Sequence, residues 1–336
     1  MELSTLWFIL VAVLFTGFFI LEGFDFGVGI LLHIVGKTEQ ERRAVIRAIG
    51  PTWDGNEVWL LTAGGAIFAA FPKWYATMFS SLYLPLLLIL VGLILRGLAL
   101  EYRNKLESTV WRSRWDKSIF VGSLLTALLF GVGITDLISG LPFDAAGTFQ
   151  GNFIDLIRPF PLLGGIASLS LFTWIGALFL QLKLQGELLT RVGGVASKLR
   201  WRVLAVYIVM GVYGFASNKL LIEAPILFKA TAILSVATLL GSILLVNKRP
   251  GIAFALAAGT IGLTTVSFFG ALFPNTMVSS LELGWNLTTV NASSTPYTLK
   301  VMSIVAAIFV PIVLVYQGYS YWIFRKRISL DEKIGY

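Results

Sequence analysis

The stretch GPTWDGNEVWLLTAGG, from Gly50 to Gly65, carries two acids and two indoles at the start of an otherwise apolar segment. Asp54 and Glu57 are three residues apart, so they share a face near the N-terminus of a predicted helix, where the helix dipole favours negative charge. Trp53 and Trp59 are typical of an aromatic belt at a membrane interface. Acids are rare in segments that cross a bilayer, and they usually mark a polar site there. The stretch therefore predicts a membrane helix with a polar site at its start.

A second acidic stretch, EGFDFGVGILLH, lies one apolar span upstream and holds Glu22 and Asp25 where a helix in hydrocarbon would carry Leu or Val. At 100° per residue, one stripe of this helix carries Glu22, Asp25, Gly29 and His33. Gly23 and Gly27 form a small-xxx-small notch on another stripe, which is typical of close helix packing. The acidic stripe is therefore predicted to face protein rather than lipid.

A short basic loop, KTEQERRAVIRAI, joins the two stretches and is predicted to be largely helical. Thr38 and Glu41 have the spacing of a capping box at its start. Pro51 restricts Gly50 and is a favourable residue for the first turn of the next helix. The two acidic stretches are therefore predicted to be neighbours in the fold.

The composition indicates a polytopic membrane protein, because 57% of the 336 residues are hydrophobic and only 13% are charged. A bilayer-spanning helix needs about 20 apolar residues, and the sequence contains about nine apolar runs of that length. The runs lie near 6–34, 52–72, 74–100, 117–141, 160–184, 202–221, 225–246, 251–273 and 299–324. The predicted fold is all-α: one integral-membrane domain over 1–336, with a motif-bearing four-helix bundle in 1–141, and a second bundle plus a final helix in 142–336.

Basic residues indicate the orientation in the membrane, because they concentrate in alternate loops on the side of the C-terminus. That side holds the groups around Arg42, Arg103 and Arg191 and the terminal run from Arg325 to Lys333. The other loops hold only Lys73, Arg158, Lys219, Lys229 and Lys300. The C-terminus is therefore predicted in the cytoplasm and the N-terminus outside, and the net charge of +8 reflects topology rather than a nucleic-acid partner. Tyr321 and Trp322 are interpreted as an aromatic girdle before this basic end.

The residue inventory limits the possible chemistry. The absence of Cys excludes disulfides and iron–sulfur clusters, and a single histidine, His33, excludes zinc or copper sites built from His and Cys and excludes serine triads. His33 stands near a helix end, where a polar end residue is more typical than a haem ligand. What is left is a proton or ion path, since a carboxylic acid in a low-dielectric site can bind and release protons near neutral pH.

Four acids are the candidates for this path: Glu22, Asp25, Asp54 and Glu57. The alternative is that they satisfy backbone groups or pair with Arg96, which lies about a turn and a half before a predicted cytoplasmic boundary. Arg96 either snorkels to that boundary or pairs with a carboxylate or another anionic group at its own depth.

The motifs resemble those of the second subunit of cytochrome bd quinol oxidase, including its cyanide-insensitive relatives. They are GFDFGVG at Gly23, ERR at Glu41, GPTWDGNEVWLLTAGGAIFAAFP at Gly50, the Arg96 region with EYRNK, FP at Phe273 and NASS at Asn291. The resemblance implies a complex that oxidises quinol, reduces oxygen to water and takes protons from the cytoplasm, charging the membrane without pumping. It implies a bacterial or archaeal cell membrane, and a chain that is not catalytic by itself.

Cofactors and partners follow from the same resemblance. Two haems b and one haem d are expected in the larger subunit I, an obligate partner. Some members of the family add a small single-helix subunit or bind a structural quinone in this subunit. The substrates of the complex are quinol and oxygen, and the chain itself lies in the lipid bilayer.

Carried over by motif position, Asp25 and Asp54 belong to a proton path towards the haems of the partner, and Glu22 and Glu57 are the further acids beside them. Trp59 is expected near the oxygen access route. Trp53 and Arg96 are expected near the subunit interface and the haem propionates.

Two other classes of function stay open. A proton-coupled secondary transporter would use the same acids as its coupling site, and broken helices in both halves would favour it. The intramembrane acids of this chain lie in its first half only, which favours the oxidase subunit. A purely structural scaffold subunit predicts that Asp25 and Asp54 are replaceable.

Overall fold

The computed structural model describes residues 2–329, and twelve α-helices lie within them. Lys333, part of the basic C-terminal end, lies outside these residues. The helices are α1 (Leu3–Val35), α2 (Glu39–Ile49), α3 (Trp53–Ala70), α4 (Pro72–Ser81), α5 (Tyr83–Tyr102), α6 (Thr109–Ser139), α7 (Pro159–Lys183), α8 (Gly186–Ser217), α9 (Lys219–Glu223), α10 (Ile226–Leu245), α11 (Pro250–Leu272) and α12 (Pro296–Ile323). Two short strands, β1 (Asn275–Met277) and β2 (Leu287–Thr288), form an antiparallel pair.

Eight helices of the described part are long and apolar enough to cross a bilayer, so the chain is a multi-pass membrane protein. They are α1, α5, α6, α7, α8, α10, α11 and α12. The predicted ninth span corresponds to α3, an 18-residue helix whose first turns hold Asp54, Asn56 and Glu57. Those polar residues lower the mean hydropathy of α3, so its passage across the bilayer stays a prediction. The orientation of the chain in the membrane also stays a prediction.

The prediction of one continuous span near 74–100 was wrong, because this segment forms two helices. The chain forms α4 and α5, with Leu82 between them. Pro85 is the physical reason, because its ring would clash with the carbonyl of Ser81 in a continuous helix and it has no N–H to donate. The helix restarts at once, with the Leu86 N–H donating to the Leu82 carbonyl at 2.8 Å.

The helix predicted near 202–221 starts earlier than expected, at Gly186. Its first half is amphipathic, and Leu188, Val192 and Ala196 are buried at a spacing of four residues. This spacing places the three side chains on one face of a helix. The hydropathy of the sequence located only the apolar second half of this helix.

Helix α1 lies at the centre of the fold and packs against α3, α6, α7 and α11. The predicted glycine notch is the contact with α7: a Cβ on Gly27 would overlap the carbonyl of Phe172, and one on Gly23 would lie 2.7 Å from the Phe172 ring. The close approach of the two backbones therefore requires glycine at Gly27, and glycine at Gly23 leaves room for the Phe172 ring. Helix α7 also contacts α6, α8 and α11, so it joins the two halves of the chain.

The capping box predicted at Thr38 and Glu41 is confirmed at the start of α2. At the opposite end of the bundle, the segment 273–295 contains the two short strands and covers the C-terminal end of α3. Its Ser294 N–H donates to the Ala70 carbonyl at 2.8 Å, and its Ser279 Oγ donates to the Phe143 carbonyl at 2.7 Å. Backbone and hydroxyl groups thus close this end of the structure.

The last helix, α12, is exposed along most of its length, and Leu299 is its one buried residue. Polar contacts attach it at both ends. The Trp7 indole N–H lies 3.2 Å from the Leu299 carbonyl and 3.1 Å from Ser303 Oγ. Just after the other end, the Ile328 N–H donates to the Lys183 carbonyl at 2.7 Å.

Candidate functional site

A buried arginine lies at the centre of the candidate site. Arg96, on α5, has 0% of its side chain exposed, and it forms ion pairs with Glu22 of α1 and Glu57 of α3. Its Nη2 lies 2.6 Å from Glu57 Oε1, and its guanidinium lies 5.0 Å from the centre of the Phe26 ring. A buried charge is stable only when it is paired and hydrogen-bonded, so the three residues form one unit.

Small residues on neighbouring helices make room for this arginine. Helices α5 and α6 approach at Gly92 and Gly122, where a Cβ on Gly122 would lie 2.5 Å from the Gly92 carbonyl and 3.2 Å from Arg96 Cβ. A larger residue at Gly122 would therefore push α6 away from the base of Arg96. Arg96 pairs with carboxylates at its own depth, which was one of the two alternatives open for it.

Asp25 has a different partner. It is fully buried on α1, and its Oδ2 accepts a hydrogen bond of 2.8 Å from Asn56 Nδ2. The other end of the Asn56 amide, Oδ1, accepts 2.7 Å from the hydroxyl of Tyr321. Asp25 Oδ1 accepts no hydrogen bond from a donor group within the described residues, and the carboxyl groups of Asp25 and Glu22 interact directly. Helices α1, α3 and α12 thus meet at one amide.

Trp59 of α3 makes a further contact with α12. Its indole N–H donates to Gln317 Oε1 at 2.8 Å, and Gln317 Nε2 lies 3.4 Å from Asn56 Oδ1. The ring of Trp59 lies directly over Gly17 of α1, where a Cβ would overlap it. Trp59 is therefore fixed by one hydrogen bond and one ring contact.

The structure brings together three of the four predicted acids. Glu22 and Asp25 are fully buried, and the side chain of Glu57 is 23% exposed beside Arg96. Asp54 is exposed on the outer surface of α3, in the first turn of a helix that begins at Trp53. Asp54 and Glu57 are neighbours on α3, as predicted, but only Glu57 contacts the cluster, whereas Asp54 lies on the surface of the helix.

The other predicted residues divide between the site and the surface. The ring of Trp53 lies 5.9 Å from the Arg96 guanidinium. His33, which shares a stripe with the acids in the sequence, is exposed near the end of α1, so the acidic stripe faces protein only as far as Gly29. Within residues 2–329, no group of three or more His, Asp or Glu side chains is placed to hold a metal ion.

Three site residues had not been predicted: Asn56, Gln317 and Tyr321. Tyr321 was interpreted as a girdle residue, and this was wrong for its hydroxyl, which points to Asn56. A signal did exist, because Gln317 and Tyr321 are four residues apart and so share one face of an apolar helix. The sequence could not show that Asn56 lies opposite that face.

A second charged cluster lies at the end of the bundle that carries α2. Arg103 is fully buried, with Nε 2.5 Å from Asp116 Oδ1 and Nη2 2.8 Å from Glu39 Oε2. Arg42 Nε also lies 3.0 Å from Asp116 Oδ2. These contacts join α2, the end of α5 and the start of α6 in one network.

The ERR motif contributes a clamp at the same end. Glu41 Oε2 accepts hydrogen bonds from Arg191 Nη1 at 2.8 Å and from the Lys37 N–H at 2.7 Å. The Arg191 guanidinium, helped by the backbone N–H groups of Thr38 and Lys37, lowers the pKa of Glu41 to about 2. Arg191 also donates to the Val35 carbonyl at 2.6 Å, so the clamp holds α8 against the end of α1.

The fold and the site define a polytopic helical membrane protein with a carboxylate–arginine cluster buried in its first bundle. The chain belongs to the cytochrome bd terminal oxidase subunit II family, whose model matches residues 3–324. This finding confirms the resemblance inferred from the motifs.

Individual relatives cover the whole chain. It is 42% identical over 336 residues to cytochrome bd ubiquinol oxidase subunit 2 of Bacillus subtilis strain 168, covering 100% of this chain and 99% of that protein. It is 35% identical over 364 residues to cytochrome bd-I ubiquinol oxidase subunit 2 of Escherichia coli K12, covering 98% of this chain and 96% of that protein.

A solved structure shares the fold. The structure of bd oxidase from Geobacillus thermodenitrificans contains a chain that matches with a TM-score of 0.74 and 17% sequence identity, over 97% of this chain and 100% of that chain. The arrangement of helices is therefore common to both chains.

Proposed function

We propose that the chain is subunit II of a cytochrome bd-type quinol oxidase and forms an obligate complex with subunit I, which carries two haems b and one haem d. The complex oxidises quinol and reduces oxygen to water in a bacterial or archaeal cell membrane. The observation that carries the role of this chain is the buried cluster of Glu22, Arg96 and Glu57 beside Asp25, because so costly an arrangement needs a reason inside a membrane bundle.

The proton path that we propose runs inward from Asp54. This residue is exposed at the start of α3, Glu57 is partly exposed three residues further on, and Glu22 and Asp25 are fully buried. The order leads from a surface acid to acids inside the bundle. Arg96 pairs with both Glu22 and Glu57, so its guanidinium offsets negative charge on either acid.

The surface that we propose for subunit I is the outer face of α3, formed by Asp54, Gly55, Leu61, Gly65 and Phe68. Leu61 is 73% and Phe68 is 62% exposed, and a Cβ on Gly55 or Gly65 would have no atom within 4 Å. An acid and two uncovered glycines are unusual on a lipid-facing helix, whereas small residues are typical where two membrane helices meet.

Trp53 and Trp59 keep their predicted roles within this proposal. Trp53, at the start of α3, is the residue that we place nearest the haem propionates of subunit I. Arg96 is enclosed between two carboxylates and Phe26, so we propose that it acts within this chain. Trp59 is the residue that we place near the oxygen access route.

The remaining expectations belong to the same proposal. We propose one integral-membrane domain, with the site-bearing bundle in 1–141 and a supporting bundle plus the final helix in 142–336. A small single-helix subunit and a structural quinone are further components that the family admits.

A proton-coupled transporter is less well supported. Such proteins place coupling groups and broken helices in both halves of a repeat. Within residues 2–329, every buried acid lies before residue 141: Glu22, Asp25, Glu41, Asp116 and Asp136.

The test uses the complex of this chain with subunit I, purified from membranes. In Asp25→Asn and Asp54→Asn, we expect quinol oxidase turnover per haem to fall about tenfold, equivalent to about 1.4 kcal/mol in the barrier. The haem content should be unchanged, because this chain supplies no axial ligand in the proposal.

Asp155→Asn is the matched control, since Asp155 is an exposed loop acid and should keep wild-type turnover. Wild-type turnover in both Asp25→Asn and Asp54→Asn would contradict the proton path and leave a scaffold role. A chain that purifies without any haem-bearing partner would contradict the oxidase subunit itself.

A further inference from the structure

The final helix reaches the candidate site with two side chains. Helix α12 is exposed over most of its surface, yet its Tyr321 hydroxyl lies 2.7 Å from Asn56 Oδ1. Gln317 lies one turn away on the same face, with its Nε2 3.4 Å from the same oxygen. The ring of Tyr321 also makes an edge contact with Phe24, at 6.5 Å between centres. These contacts hold the hydroxyl in place beside Asn56.

The amide of Asn56 can lie in two orientations, and its neighbours decide between them. An ionised carboxylate only accepts hydrogen bonds, so the end of the amide that faces ionised Asp25 must be the N–H₂ group. A tyrosine hydroxyl can donate to the opposite end, the carbonyl oxygen. Donation from Tyr321 therefore favours the orientation in which Asn56 Nδ2 donates to Asp25 Oδ2, at 2.8 Å.

We propose that Tyr321 is a positioning residue for proton transfer through Asp25, and that it acts through the amide of Asn56. The inference rests on the proposed proton path. With the amide fixed, the Asp25 carboxylate has one oxygen bound to Asn56, and the other, Oδ1, accepts no hydrogen bond from a donor group within residues 2–329. The carboxyl group of Glu22 lies within hydrogen-bond reach of Asp25. Oδ1 is then the atom of Asp25 that gains and loses the proton.

Removal of the hydroxyl releases the amide. In Tyr321→Phe, the Asn56 oxygen keeps only the long contact with Gln317, at 3.4 Å, and Nδ2 keeps a long contact of 3.5 Å with the Leu21 carbonyl. The strong hydrogen bond that opposes turning is gone, so the amide can turn its oxygen towards protonated Asp25. In that orientation the amide accepts a hydrogen bond only from protonated Asp25, so each transfer requires the amide to turn. One neutral hydrogen bond contributes about 0.5–1.5 kcal/mol, so we expect turnover to fall about two- to tenfold.

The first experiment compares Tyr321→Phe with Tyr319→Phe in the purified complex. Tyr319 is the matched control, because it lies on the same helix, is 57% exposed and stacks on Trp322 away from the site. We expect Tyr321→Phe to lower turnover per haem and to raise the ratio of turnover in H₂O to turnover in D₂O. Tyr319→Phe should match the wild type in both. A purely structural role would lower the active fraction without changing the isotope ratio.

A double-variant series tests whether Tyr321 acts through Asn56. In an Asn56→Ala background, Tyr321→Phe should cause no further loss of turnover, because the group that it positions is gone. Equal losses from Tyr321→Phe in both backgrounds would contradict the inference. So would wild-type turnover of Tyr321→Phe while Asp25→Asn is impaired. Wild-type turnover of Asp25→Asn itself would instead contradict the proton path.

Discussion

The two halves of the molecule bury polar groups in different ways. Every buried acid and arginine among residues 2–329 lies in 1–141, as part of the charged clusters around Arg96 and Arg103 or of single contacts such as that of Asp136 with Arg158. The second half buries amides and hydroxyls, which are paired over short distances: Trp174 donates to Ser242 Oγ at 3.0 Å, and Tyr207 lies 2.7 Å from Ser235 Oγ.

The difference separates a site from its support. A neutral hydroxyl pair has a small desolvation cost, whereas an ion pair in a membrane interior has a large one that only good geometry offsets. The first half keeps such ion pairs on α1, α3 and α5, where the motifs lie. The second half contains no buried acid among residues 142–329. We infer that the first half carries the chemistry and the second half holds it in place.

Substitution of Arg96, at the centre of the charged cluster, is expected to have the largest effect on assembly of the complex. Arg96→Met would leave the buried Glu22 and the partly exposed Glu57 without a counter-ion, which costs about 3–5 kcal/mol. We expect loss of the assembled complex, measured as haem-bearing protein recovered from membranes. A triple variant that also carries Glu22→Gln and Glu57→Gln should recover assembly, because no unpaired charge is left. Failure of the triple variant to recover would show that Arg96 has a partner outside this cluster.

Glu57→Gln should disturb folding less than Arg96→Met does, but it should clearly lower the activity of the complex. The amide can still accept a hydrogen bond from Arg96, so the haem content should stay near that of the wild type. Turnover should fall about tenfold, because the amide cannot carry a proton. Glu223→Gln is the control, since Glu223 is 63% exposed in the second half. Equal turnover in the two variants would remove Glu57 from the path.

The sequence predicts the local part of the site but not its long-range contacts. The WDGNEVW motif and the stretch EGFDFGVG identify the family and contain the three clustered acids, because local spacing fixes which side chains share a helix face. The meeting of Asn56 with Tyr321 joins positions 265 residues apart, and no local pattern encodes such a pairing. Hydropathy does not reveal the break before α5, because Pro85 lies in an apolar run, although its ring excludes a continuous helix.

Substitutions of buried hydroxyl groups in the second half should lower stability without changing turnover. Ser242 Oγ accepts from Trp174 and donates to the Ala253 carbonyl at 2.8 Å. We expect Ser242→Ala to lower the free energy of unfolding by about 1 kcal/mol, because the indole N–H loses its partner. Thermal unfolding in detergent measures this, with Ser170→Ala as the control, since Ser170 is only partly buried and its hydroxyl bonds only within its own helix. A loss of turnover per haem in Ser242→Ala would contradict the division between the two halves.

The smallest effect is expected at the Glu41 clamp, and it depends on pH. The pKa of Glu41 is lowered from an ordinary value of 4.5 to about 2 by Arg191 and the backbone. Its contribution to stability is therefore complete above pH 4.5 and is lost as the pH falls towards 2. We expect Glu41→Gln to have a free energy of unfolding lower than that of the wild type near neutral pH, by less than about 1 kcal/mol. The variant should therefore unfold at a lower temperature. The gap should close as the pH approaches 2.

The matched control for the clamp is Glu107→Gln, at an exposed glutamate in the connection between α5 and α6. It should show no gap at any pH. A gap for Glu41→Gln that stays constant from neutral pH down to pH 2 would show that the clamp does not depend on the charge of Glu41.

The most direct test of the central claim is the rate of proton uptake when the reduced complex reacts with oxygen in a single turnover. The path through the first half predicts that Asp25→Asn slows proton uptake at least about tenfold while oxygen binding keeps its wild-type rate. Asp155→Asn should match the wild type in both steps. Proton uptake at the wild-type rate in Asp25→Asn would contradict the claim that the buried acids of the first half deliver protons to subunit I.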